Sequence, residues 1–121
     1  MPMRSKVDLS EKDQRNIDQT LVRLIAELNT PSLVREFLEA FFSPAERIVL
    51  AKRLAIAVML EDEKSYTQIQ RSLHVSSATV ATVADLRKKN GMRKALQQIK
   101  VEYWANKLTS RIFKILGKTE E

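Results

Sequence analysis

The chain has 121 residues, with 21 Lys/Arg against 15 Asp/Glu for a formal charge of +6, 44% hydrophobic residues, 2 Gly, 3 Pro and no cysteine. That length fits one domain with a single core; the absent cysteine excludes disulfides and thiolate metal sites, and scarce glycine argues against phosphate-cradling loops and for long helices with short links. The charge is localised: residues 65–94 hold six cations (Arg71, Arg87, Lys88, Lys89, Arg93, Lys94) and one acid, Asp85, leaving 15 cations and 14 acids elsewhere, which marks either a polyanion-binding face or a solvated cationic helix end.

Residues 1–8, with Arg4 and Lys6, carry no secretory apolar segment and are expected to form a flexible arm. From Lys12 to Leu28, Ile17, Leu21, Leu24, Ile25 and Leu28 recur at steps of three and four, which predicts an amphipathic helix ending at Asn29-Thr30. Thr30-Pro31 then reads as a cap and first turn. Leu33, Val34, Phe37, Leu38, Phe41 and Phe42 give the second helix a broad apolar stripe.

SPAE (43–46) predicts a third helix start, with Ser43 and Glu46 as a capping box and Pro44 where a missing N–H costs nothing. This helix is expected to reach about Leu60. Its apolar residues surround most of its circumference, so it should be central and in need of neighbours, a second chain among them. Its apolar run, IVLAKRLAIAVML, is broken by Lys52 and Arg53 and is too short for a bilayer of ~20 apolar residues. No membrane association and a cytoplasmic location are expected.

After Glu61-Asp62-Glu63, read as a solvated exit, SYTQ (65–68) repeats the capping pattern ahead of Ile69 and Leu73. His74-Val75 forms a turn and Ser76 caps the next helix, which Asn90-Gly91 is expected to stop. Two helices separated by three or four residues make a helix-turn-helix candidate over 65–89. Met92 to Leu116 is helical in spacing, with a bend or break expected at Asn106-Lys107, and residues 117–121 form a polar tail. One all-helical domain over 9–116 is the expected organisation.

Within the candidate motif, Ile69, Leu73, Val75, Val80 and Val83 fall where the two helices must pack. Ser76, Ser77, Ala78, Thr79, Ala81, Thr82 and Asp85 fall on the outer side of the second helix. Small residues there let a helix tip enter a major groove, with Thr67, Gln68, Arg71, Arg87 and Lys88 as the flanking contacts to double-stranded DNA. The same small residues would also serve close helix packing in an interior. Gln70 stands where such motifs place alanine, and the lone histidine, His74, where they place a positive-φ glycine. Asp85 should repel phosphates, or else meet a cytosine or pair with Arg87 or Lys88. Tyr103 and Trp104 are expected as core or dimer-contact aromatics.

The run Ser43-Pro44-x-Glu46-Arg47-x-x-Leu50-x-x-Arg53-Leu54-x-Ile56-x-x-x-Leu60, followed by a short helix and Ala78-Thr79-Val80, resembles the tryptophan repressor family, over about residues 43–88. The resemblance implies an all-helical, intertwined homodimer with projecting helix-turn-helix heads, and a regulator, a repressor by class, acting on a near-palindromic operator. It also implies an effector pocket in which tryptophan lies between two arginines, helped by a threonine and a serine. Arg53 and Thr79 match that set. Allowing a one-residue deletion before Ser65, Thr82 stands at the second arginine position and Leu86 at the serine position. A threonine methyl cannot stack on an indole as a guanidinium does, so a different small-molecule corepressor, or none, is expected. Arg53 would then be a buried or interfacial ion-pair partner, to Glu46 of the other chain or to Asp85. No cofactor, metal site or catalytic constellation is expected. The contrasting reading is a helical dimerisation protein that keeps the fold without specific DNA binding.

Overall fold

The computed structural model describes residues 9–99 and 103–108. These form seven helices and no strand: α1 (Glu11–Glu27), α2 (Pro31–Phe41), α3 (Pro44–Glu61), α4 (Tyr66–Leu73), α5 (Ser77–Arg87), α6 (Asn90–Gln97) and α7 (103–108). The described residues are all-helical, in line with the scarcity of Gly and Pro. The described residues divide between Pro44 and Ala45 into two compact units.

In the first unit, Ser10 Oγ accepts from the Asp13 N–H at 3.1 Å and starts α1. Thr30 Oγ1 accepts from Leu33 N–H at 3.1 Å, with Pro31 opening α2. The Phe37 and Phe41 rings stack with centroids 5.1 Å apart, and Phe42 meets Phe41 edge-on at 5.3 Å. Neither helix holds a buried residue. The stripe of Ile17, Leu21, Leu24 and Ile25 forms as its spacing demands and stays exposed on the chain.

The second unit is built on α3. Residues Ala55 to Leu60 are buried without interruption, so the helix is enclosed on every side there. Its first half is open, with Ile48, Val49, Leu50 and Leu54 between 42% and 56% exposed. The exit from α3 is a defined cap. Lys64 N–H donates to the Met59 carbonyl at 3.0 Å and Glu63 N–H to Leu60 at 2.9 Å, with Glu63 at φ 64°; this is the Schellman arrangement, with glutamate in the usual glycine position.

Around α3's buried half, Ile69 of α4, Val80 and Val83 of α5, Leu96 of α6 and Ala105 of α7 complete the core, with Leu73, Val75, Ala84, Met92, Ile99 and Leu108 packed against it. Ile56, Met59, Ile69, Val80 and Val83 are its largest fully buried side chains. Each such burial stabilises by about 1.5–3 kcal/mol before entropy is set against it.

Two expected boundaries move. Asn90-Gly91 does not stop α5: that helix ends at Arg87, where Lys88 N–H turns back to Asp85 and Lys89 N–H to Leu86. Lys89 is extended, and Asn90 and Gly91 form the first turn of α6 with no positive φ at the glycine. The expected break at Asn106-Lys107 lies inside α7 instead, and the interruption comes after Gln97, where α6 ends. Tyr103 and Trp104 are not core residues of the chain. They stand 55% and 45% exposed, in edge-to-face contact, with the Lys107 ammonium over both rings. The arm over 1–8, Ile112, Phe113, Leu116 and the tail over 117–121 lie outside the described residues. Among the described residues no helix is long and apolar enough to cross a membrane.

Candidate nucleic-acid interface

α4 begins with a reciprocal cap: Ser65 Oγ accepts from Gln68 N–H at 3.1 Å, and Gln68 Oε1 accepts from Ser65 N–H at 2.9 Å. The carbonyl end of the Gln68 side chain is thereby committed to the backbone. Thr67 and Arg71 are exposed on the same helix. His74 ends α4 at φ 54°, ψ 54°, the left-handed conformation its place in the turn called for. Its N–H and that of Val75 both donate to the Gln70 carbonyl. Gln70 is half-buried, and both bonds use only its backbone carbonyl, which any residue there would supply.

Ser76 starts α5, its Oγ accepting from Thr79 N–H at 3.1 Å and sharing a hydrogen bond with Thr79 Oγ1 at 3.0 Å. The amides of Ser77 and Ala78, at the first two helical positions, have no intrahelical acceptor and remain as donors at the tip. Val80 and Val83 turn inward, 0% and 1% exposed. Ser76, Ser77, Ala78, Thr79, Ala81, Thr82 and Asp85 are all exposed. Among the described residues these small side chains are therefore not packed in an interior. Thr82 Oγ1 donates to the Ala78 carbonyl at 3.0 Å, which leaves its oxygen lone pairs and methyl group facing outward.

The cations gather at the far end of α5 and on α6. Lys88, Lys89, Arg93 and Lys94 are exposed. Lys88 Nζ lies 3.7 Å from the Asp85 carboxylate, with the two side chains 78% and 84% exposed. Such a solvated pair is weak and interchangeable with water or another anion. It accounts for Asp85, which belongs to Lys88 and not to Arg53. Arg87 differs from its neighbours, because its guanidinium is held at 2.8 Å by Glu61 at the end of α3.

Three of the four residues expected around an effector come together. Arg53, Thr79 and Thr82 line a cavity of about 340 Å³ with Lys52 and the aliphatic walls Val49, Ile56, Val75 and Val83. Leu86 does not line it. In the sequence Lys52 reads only as a break in an apolar helix, with nothing to tie it to this cavity. Glu61 reads as part of a solvated exit, because its partner is 26 residues away, beyond any local spacing rule.

No match was found among curated proteins or among solved structures. A family model described as Trp repressor protein matches residues 16–100, a span that begins within α1 and runs through α6, taking in the capped tip, the left-handed turn and the cavity described above. The chain therefore belongs to the Trp repressor protein family, a family of DNA-binding regulators.

Proposed function

We propose that the protein is a sequence-specific, double-stranded DNA-binding regulator of transcription, acting as a homodimer on a near-palindromic operator with half-sites about one helical turn (~34 Å) apart. On this reading α4 and α5 form a helix-turn-helix. The observation that carries it is α5 itself. One face is locked into the core by Val80 and Val83, while the opposite face offers only small side chains, open first-turn amides and hydroxyls, with cations behind them. That surface can enter a major groove without a long side chain in the way, and its cations then reach the phosphate walls.

Ser77, Ala78, Ala81 and Thr82 are assigned to the base edges. Ser76, Thr79 and the amides of the tip, together with Thr67, Gln68, Arg71 and Lys88, are assigned to the backbone at the rim. The cavity at Arg53, Thr79 and Thr82 adjoins the same helix and is the place we assign to any effector. Tryptophan is not our candidate, because Thr82 supplies no second guanidinium to close over an indole.

The test is binding to a random duplex library, followed by titration of the selected site at several salt concentrations. Lys88→Ala should weaken binding to every sequence and lower the slope of log K against log salt by about 1.8, as loss of one phosphate contact from each of two subunits requires. Substitution of Ser77 should instead change which sequence is selected. An unaltered slope for Lys88→Ala would remove it from the phosphate contacts, and no salt-sensitive binding by the wild-type chain would remove the function.

A further inference from the structure

Arg87 does not have the geometry of a free surface cation. Its Nη1 donates to Glu61 Oε1 at 2.8 Å, its Nε is shut off from solvent, and its side chain is only 31% exposed, while Lys88 beside it is 78% exposed. The two ends of this bridge belong to different helices. Glu61 is the last residue of α3 and Arg87 the last of α5. The bridge lies in a recess of about 350 Å³ that Lys88, Arg93 and Leu96 also line.

The two fully buried side chains of α5 are Val80 and Val83, and beyond them Ala84 and Leu86 are only half-buried. The two valines lie in the first two turns, and apolar contact resists separation better than it resists tilting. A short, charge-assisted bond at the opposite end supplies a second, directional point of attachment. From these observations we infer that Glu61 and Arg87 are positioning residues: they strut the C-terminal end of α5 against α3 and so fix the angle at which the tip of α5 is presented. This rests on the DNA-binding reading above for its functional consequence, and on the bridge alone for its mechanical part. It also separates Arg87 from Lys88, which we place on phosphate.

The experiment compares Glu61→Gln, Arg87→Gln and the exchanged pair Glu61→Arg with Arg87→Glu, all in the full chain and on the selected duplex. Each single variant should weaken specific binding by about three- to tenfold, in the range expected for coupled contact pairs. The salt slope should stay at the wild-type value, and the exchanged pair should recover most of the loss. A slope lowered by about 1.8, one contact from each subunit, in Arg87→Gln would make Arg87 a phosphate contact and overturn the proposal. So would tighter binding by Glu61→Gln, which frees a cation, or loss of binding by the exchanged pair, which puts an acid at the rim. Hydrogen exchange provides a reading that needs no DNA. In Glu61→Gln the amides of residues 84–89 should exchange faster while those of α4 do not change. Unchanged exchange there overturns the strut whatever the duplex measurements give. If the wild-type chain binds no duplex, the regulator reading fails separately and exchange alone decides the strut.

Discussion

Among the described residues two, Glu63 and His74, carry a β-carbon through the left-handed region, at φ 64° and 54°. Each stands where a helix hands its last carbonyls to the following amides, the position at which glycine costs least. Histidine tolerates this conformation better than branched residues do, because a β-branch crowds the neighbouring carbonyl. His74→Val should therefore lower the unfolding free energy by about 1–2 kcal/mol, while His74→Gly should keep or slightly raise it. Denaturant titrations at one fixed protein concentration would check this, since the stability of an associating chain moves with concentration. The αL turn at His74 was legible in the sequence because a turn of fixed length between two caps leaves only one place for it. At Glu63 the acidic run concealed it. Three carboxylates in a row read as solvated coil, whereas the hydrogen bonds of Lys64 and Glu63 back to Met59 and Leu60 are made by the backbone, to which the side chains are indifferent.

At the level of the element, starts were easier to read than ends. Ser10, Thr30, Ser65 and Ser76 each bond an amide three residues ahead, so the whole signal lies within one helical turn. α5 ends without such a signal: Lys88 and Lys89 close it with short backbone bonds, and Asn90-Gly91, a common stop, begins the next helix. The candidate site was legible to the same degree. Its inward valines and outward small residues follow from helical period, whereas the bond from Glu61 to Arg87 depends on how two elements pack. The cap on α5 gives a test that separates stability from recognition. Ser76→Ala should cost about 1 kcal/mol through loss of the bond to Thr79 N–H. Ser76→Asp should restore that stability, as aspartate caps equally well and its charge suits a helix start. On the proposed reading it should nevertheless abolish DNA binding, by setting an anion against a phosphate wall. Denaturation and duplex titration on the same two variants check both halves.

For the molecule as a whole, apolar surface left open is the fact to be accounted for. α1 and α2 bury nothing fully, and the first half of α3 exposes Ile48, Val49, Leu50 and Leu54. Monomeric proteins seldom leave so many apolar side chains in one stretch of chain uncovered. The proposed homodimer would cover them. Sedimentation should then give twice the chain mass of 13.9 kDa, and Leu24→Glu, which places a charge in the α1 stripe, should shift the equilibrium towards single chains by a hundredfold or more in dissociation constant, about 2–3 kcal/mol for a charge left in an apolar contact. A wild-type chain of single mass at micromolar concentration would refute the dimer. The helical content was legible from period and composition. What covers the open stripes was not, because a stripe specifies that it must be covered and carries no address for the covering surface.

The emptiness of α1's interior reaches into the order of events after synthesis. A helix of 17 residues whose apolar stripe is left unburied is marginal in water, whereas the portion from α3 onward encloses its own aliphatic nucleus. If α1 finds shelter only on another copy, its ordering becomes a bimolecular step that follows a unimolecular one. Dilution would then slow the acquisition of the last helices while leaving the first phase untouched, and a cell making few copies would hold many of them half-finished.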